Sequence, residues 1–270
     1  MIGQLKNVSY LSSLRELPRF IVVLGPKGSG RRTMLREEFS RRGAEMAQID
    51  GKVDSLREAI ALANQRAMPT AFAVDASDFS ANSAGTLLKV AEETPAGTWF
   101  ALIAESRSLV YPTLLSRALV LEMAPYSREE FEQYSGTLSE YGVTAEEASA
   151  LSSYCQTFGD LFSLVSLKDH GASLLAFADL VLNNIASAPL HNALMIPSHL
   201  ALRDKSEGHR PDLFLNVVSA KLSAYPSDPA TIRMARATSE ARSLLSNRGL
   251  NRQMVMDEWV FRMRGEPGWN

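Results

Sequence analysis

The chain has 270 residues, 46% of them hydrophobic, and a net charge of −2. That is long for one compact domain and ample for two or three with their own cores. The near-neutral charge excludes bulk electrostatic binding to nucleic acid and leaves only local patches for it. The single cysteine, Cys155, excludes an intrachain disulfide and a cysteine zinc site, and a buried thiol is expected. There is no apolar run of membrane length and no charged-then-apolar leader, so a cytoplasmic protein without a membrane partner is expected.

Leu5, Val8, Leu11, Leu14 and Leu17 recur at roughly helical spacing up to Pro18 and predict a helix leading into a strand at Phe20–Leu24. The stretch Phe20–Thr33, FIVVLGPKGSGRRT, then breaks from an apolar run into a glycine-rich loop and a basic helix start. This is the layout of a phosphate-binding P-loop, G-x-x-x-x-G-K-[ST], whose backbone N–H groups cradle phosphates at a helix N-terminus. Gly25, Gly28 and Gly30 supply the turns. Arg31 stands where the lysine belongs, and Arg32 where the Mg²⁺-binding hydroxyl belongs. A guanidinium pairs with phosphate as a planar fork, not as a compact point charge, and it cannot replace a hydroxyl on a metal. No metal site is expected. In the helix that follows, Leu35 and Phe39 share one face, and Arg36, Arg41 and Arg42 read as a solvated face.

Strand and helix patterns then alternate. Strands are predicted at Ala44–Asp50, Thr70–Asp75, Thr98–Ala104 and Ala118–Glu122; helices are predicted at Ser55–Arg66, Ser80–Glu93 and Leu109–Leu115. Such alternation implies a parallel sheet with flanking helices, an α/β domain over residues 1–124. Ligands of such sheets bind at the carboxyl ends of the strands, where Gly25–Arg32, Asp75 and Ala104–Glu105 fall. Residues 125–170 carry 2 basic and 8 acidic side chains and predict a small helical domain. Its helices are expected around Ser127–Tyr134, Thr144–Tyr154 and Phe158–Leu167, with Thr144-Ala-Glu-Glu147 as a capping box. Residues 171–270 are helical in pattern, with breaks near Pro189, Pro197, Gly208–Pro211, Pro226–Pro229 and Gly249 and a closing amphipathic helix, Leu250–Phe261.

Several stretches carry a resemblance. They are Ile2-Gly3-Gln4; Val53-Asp54-Ser55-Leu56-Arg57; Ser83-Ala-Gly-Thr-Leu-Leu-Lys89 running into Glu92-Glu93-Thr94-Pro95; Pro112-Thr-Leu-Leu-Ser116-Arg117; and Asn247-Arg-Gly-Leu-Asn251 followed by Met254–Phe261. In this order and at these distances the chain resembles the delta-prime subunits of the bacterial DNA polymerase III clamp loader, within the AAA+ clamp-loader family. The resemblance implies an AAA+ module (1–124), a helical lid (125–170) and an all-α collar (171–270) that joins other clamp-loader subunits in a hetero-pentamer. The implied partners are those subunits, a sliding clamp and primer-template DNA. Bacterial members usually carry a four-cysteine zinc insertion that this chain lacks. It is also shorter than most cellular members, as in a divergent or phage-encoded version.

Hydrolysis in this fold needs the P-loop lysine, a metal-binding hydroxyl, an acid that positions water, and polar sensors of the terminal phosphate. Here Ala76 follows Asp75, and Asp78 reads as a helix cap. Ala104 and Glu105 stand at the first sensor position, and Phe158-Gly159-Asp160-Leu161 has no arginine at the second. The resemblance therefore implies a chain that is not itself an ATPase, in which Ser116-Arg117 keeps the arginine finger offered to a neighbouring subunit. A strand-edge arginine in a salt bridge is the alternative for Arg117. The resemblance also places Lys89, and secondarily Arg107, against the DNA backbone in sequence-independent contacts. No cofactor is required, although Lys27, Gly25, Gly28, Gly30, Arg31, Arg32 and Thr33 form a loop suited to holding ADP or ATP without hydrolysis. A loop whose arginines pair with Asp75 or Glu105 is equally open. Two other functions stay in play: an active AAA+ motor in which Arg31 and Thr33 do the work of Lys and Thr, and a recombination or helicase-loading AAA+ protein.

Overall fold

The computed structural model describes residues 3–65, 68–76, 79–93, 95–134, 144–166, 174–201, 211–245 and 250–266. The chain forms two compact units, Met1–Tyr126 and Ser127–Asn270. The expected lid and collar both fall in the second, and their expected boundary at residue 170 lies outside the described residues.

In the first unit, strands β1 (Phe20–Leu24), β2 (Glu45–Ile49), β3 (Thr70–Asp75), β4 (Thr98–Ala104) and β5 (Leu119–Glu122) form one parallel sheet in the order β2-β3-β4-β1-β5. Every residue of β1 is buried, as a strand covered on both faces must be. The period of two sorts its side chains. Phe20, Val22 and Leu24 share one core with Phe72, Val74, Phe100 and Leu102; Ile21 and Val23 share the other with Ala71, Ala73, Ala101 and Ile103. Helices α3 (Val53–Gln65), α4 (Ala81–Glu93) and α5 (Pro112–Leu115) cover the first face through Leu56, Leu87 and Leu114. The second face is covered by α1 (Leu5–Ser13) and α2 (Arg31–Arg41) through Leu11, Met34, Leu35 and Phe39. The chain thus leaves β1 by α2 on one face and returns across the sheet by helices on the other. That reversal places a crevice at the carboxyl ends of β1 and β4.

Two expectations for this unit are corrected. The helix predicted up to Pro18 ends at Ser13, with extended backbone at Leu14. The helix predicted over Leu109–Leu115 splits into a 3₁₀ turn, Arg107–Leu109, and α5, because Pro112 takes the first helical position after an extended Tyr111. Arg42 also departs from its solvated reading. It donates to the buried carboxylate of Glu38 at 2.7 Å and to the carbonyls of Leu14 and Leu11 at 2.8 and 3.2 Å, closing the C-terminal end of α1. Arg41 shares Glu38 with it.

The described helices of the second unit are α6 (Arg128–Gln133), α7 (Ala145–Ser152), α8 (Phe158–Ser166), α9 (Leu174–Asn184), α10 (Leu190–Ala201), α11 (Pro211–Leu222), α12 (Pro229–Leu245) and α13 (Arg252–Arg264). Ser127 and Glu130 form a reciprocal capping box at the start of α6, a pairing the sequence reading missed. The box expected at Thr144–Glu147 involves side chains outside the described ones. Phe131 and Phe158 pack at 4.7 Å between ring centres, and Cys155 is buried as expected. Further on, α11 buries Leu213, Phe214, Leu215, Val217 and Val218; Trp259 of α13 meets Phe214 edge-on and donates its indole N–H to Thr238 of α12. Arg264 caps the end of α9 at the carbonyls of Ile185 and Ala188. The break expected at Pro197 is absent: α10 runs through it, giving up only the amide hydrogen that proline lacks. No helix among the described residues is long and apolar enough to cross a membrane.

Candidate functional site

The loop after β1 is rooted by its neighbours. The amide of Gly25 donates to Ala104 O at 3.1 Å, and the amide of Met123 donates to Leu24 O at 2.8 Å. A Cβ on Gly25 would come within 2.7 Å of the Met123 Cβ, so this position admits no side chain. At the other end Gly30 has φ 87° and caps α2 with no side chain, so nothing from the cap covers the first-turn N–H groups. Those groups lack intrahelical partners and form the positive end of the helix dipole, a ready anion site.

Three cations surround this turn. Arg32 Nη2 donates to Asp75 Oδ2 at the end of β3 at 2.8 Å, and Lys27 Nζ lies 3.6 Å from Glu105 Oε1 just past the end of β4. The loop and the strand-end acids are thus joined by ion pairs, one of them through a lysine instead of an arginine. Arg31 is half-buried, and its guanidinium has no hydrogen-bond or ion-pair partner among the described residues. Burial lowers its pKa, against the opposing pull of Glu105 and Asp75, and the charge of Arg32 lowers it further. Such a guanidinium favours an anion in contact. Thr33, one residue further along α2, is exposed.

Ala76, next to Asp75, is fully buried, and Asp78 lies outside the described residues. Ala104 is buried and Glu105 exposed. In the second unit, Asp160 is spent on local structure: its Oδ2 accepts from the amides of Gln156 and Thr157 at 3.1 and 3.0 Å, while its own amide donates to Thr157 Oγ1, capping α8. Among the described residues no cluster of His, Cys, Asp and Glu suits a metal ion.

Sequence reasoning missed Tyr126, Ser29 and the role of Gln4. The Tyr126 hydroxyl donates to Ser29 O at 3.1 Å, and its ring lies over Gly3, where a Cβ would clash at 2.2 Å. Ser29 is fully buried, and its own Oγ has no hydrogen-bond partner among the described residues. The Gln4 amide pairs both ways with the backbone of Ala124, beside Met123. Gly3 is the one sequence sign of this clip, since its positive φ favours glycine; Gln4, also at positive φ, gives none.

Ser116 and Arg117 follow α5 and are exposed. Arg117 donates to Thr113 O at 3.3 Å and lies 3.4 Å from Ser116 Oγ, while Ser116 Oγ donates to Thr113 O at 3.0 Å. Both residues precede β5, at its amino end, whereas the loop leaves the carboxyl end of the adjacent β1, where Leu24 pairs with Glu122. Five residues of near-extended chain, roughly 15 Å, separate the two levels. The structure therefore does not bring Arg117 to its own chain's loop. Arg107 pairs with Glu122 at 3.2 Å, both exposed. Lys89 is exposed on α4 and borders a groove of about 730 Å³ between α3 and α4, with Arg57, Asn64, Asn82 and Thr86.

No family model matches the sequence, and no curated protein does. Solved structures do match. A DNA polymerase III gamma-subunit-related protein of Thermotoga maritima is similar at a TM-score of 0.51 and 14% identity, over 98% of this chain and 99% of that one. A mutant of Thermotoga maritima RuvB is similar at a TM-score of 0.52 and 20% identity, over 79% of this chain and 87% of that one. The chain shares the fold of these structures. At these identities the likeness is one of architecture: a parallel five-stranded sheet with flanking helices, followed by a helical part.

Proposed function

We propose that this chain is a non-hydrolysing subunit of a clamp-loader-type AAA+ assembly, one that holds nucleotide without cleaving it and presents Arg117 to the nucleotide of a neighbouring subunit. The observation that carries the reading is the division of labour along the sheet. At the carboxyl ends of the strands, arginine occupies the hydroxyl position and pairs with Asp75, and a buried Ala76 stands where a water-positioning acid belongs. At the amino end of β5, five residues short of that loop's level, an exposed arginine stands apart from the loop. An arginine supplied in trans stabilises transition-state charge on another subunit's phosphate. The likeness to a protein named for the DNA polymerase III gamma subunit supports the clamp-loader setting. Partners in this reading are ATPase subunits, a sliding clamp and primer-template DNA, the last contacted through Lys89 and, once freed from Glu122, Arg107. The second unit supplies the lid and the collar.

The test is co-purification of the full chain with loader ATPase subunits and a sliding clamp, followed by turnover of the complex with Arg117→Ala. Turnover by the lone chain that disappears on Arg31→Ala would instead favour an active motor.

The RuvB likeness, at a comparable TM-score, favours a second reading: a recombination-type AAA+ protein. Native mass separates the two, since a homohexamer without clamp partners supports the second and a hetero-pentamer the first.

A further inference from the structure

Phosphate loops of this fold ordinarily work with a divalent cation, held by a first-turn hydroxyl of the loop helix and by an acid at the end of a nearby strand. The residues at those two places do not fit a metal here. Arg32 fills the hydroxyl position, and its Nη2 already donates to Asp75 Oδ2 at 2.8 Å. A divalent ion would have to displace this charge-assisted bond and then lie beside a fixed positive charge. The nearest hydroxyl on the helix, Thr33, is one residue further on, about 100° around the axis.

We propose that the Arg32 guanidinium, held on Asp75, stands in for the divalent cation, so that the loop binds the phosphates of a nucleoside di- or triphosphate without metal. The inference rests on the nucleotide-holding reading given above and adds the manner of binding. A guanidinium carries five N–H donors, and Arg32 spends one of them on Asp75, which leaves the others for phosphate oxygens. Beside it the Arg31 guanidinium is partly desolvated and has no ion-pair partner among the described residues, a cation whose charge is held at a cost until an anion meets it. Inside the loop the buried Ser29 Oγ has no hydrogen-bond partner among the described residues, so a polar group of the loop is left for a ligand to satisfy. Lys27, Arg31 and Arg32 outnumber Asp75 and Glu105, so the site retains net positive charge with no metal added.

The test is calorimetric titration of the full chain with ADP and with a slowly hydrolysed ATP analogue, in excess EDTA and in excess MgCl₂. The expected Kd values agree within about threefold between the two conditions. Arg32→Thr, which restores the hydroxyl and frees Asp75, is expected to lose about tenfold or more in affinity in EDTA and to recover it with MgCl₂; Arg32→Lys, which keeps a cation on Asp75, is expected to bind without metal. Arg32 is exposed, and circular dichroism verifies that each variant is folded. Binding by the parent chain that rises about tenfold or more on adding MgCl₂ overturns the proposal and leaves the nucleotide reading standing. A folded parent chain that binds neither nucleotide in either condition overturns both.

Discussion

Tyr126 donates its phenolic hydrogen to the main-chain carbonyl of Ser29, across 3.1 Å, so the last residue of the first unit is bonded to the interior of the phosphate loop. The ring also shields Gly3, and Gln4 pins the backbone of Ala124 two residues earlier. Loop, N-terminal segment and exit strand therefore share one buried polar node.

Tyr126→Phe keeps the ring on Gly3 and leaves the Ser29 carbonyl without its donor. We expect the chain to lose about 1–3 kcal/mol of stability in urea denaturation, the cost of an unsatisfied buried group. Amide exchange at residues 28–31 is expected to speed up in the same variant.

Arg117→Ala removes an exposed side chain that bonds Thr113 O and Ser116 Oγ on its own turn, so stability is expected to change by no more than about 0.5 kcal/mol. Assembly should also be unaffected. In the proposed finger role, turnover at the neighbouring site is expected to fall by about 10³-fold or more, read as the loss of one site's share in the steady-state rate of the complex. Unchanged turnover would assign the finger to another chain.

Asp160 is 2% exposed and caps α8 through two amides while its own amide is held by Thr157. Asp160→Ala is expected to destabilise the second unit by about 1–3 kcal/mol, since it strips the buried Thr157 amide and the part-buried Gln156 amide of their acceptor. A chemical denaturation curve of the full chain, compared with that of Asp160→Asn, measures the effect.

Asp228 caps α12, and its carboxyl is held below its ordinary value of 3.8, first by the amide of Thr231, then by the amide of Ala230 and the Thr231 hydroxyl. A carboxylate whose pKa is depressed by folding contributes stability that is present above the unfolded value and lost as pH falls through the folded one. The parent chain is therefore expected to lose stability below pH 3.8 partly through this cap. Asp228→Asn, which retains an acceptor but does not titrate, should flatten that part of an acid-unfolding profile.

The sheet was legible because β1, β3 and β4 are unbroken apolar runs, and burial on both faces is what such runs require; the observed ends of all three coincide with the sequence reading. Parallel order followed from the intervening helices. The loop was legible from its glycine spacing, and so was the placing of Asp75 and Glu105 at the strand ends beside it. The choice of partners was not. Arg32 with Asp75 and Lys27 with Glu105 are contacts between segments far apart in the chain, which no local period encodes. Arg42 looked solvated for the same reason: on a helix surface it counts as charge, and only the end of α1 lying beside it turns it into a cap. Pro197 misled in the opposite direction, since a proline signals a break, yet a helix otherwise held in place tolerates one missing amide hydrogen.

The placing of Arg117 at one end of the sheet and Gly25–Gly30 at the other gives the first unit a front and a back. Where the front of one such unit docks on the back of the next, the contact is heterologous, nose against tail, and such contacts curl into closed circles or run on as open spirals. In an open spiral every member but one finds a follower to receive its guanidinium. In the proposed role, a member whose own loop cleaves nothing would suit the place where no donor stands behind it.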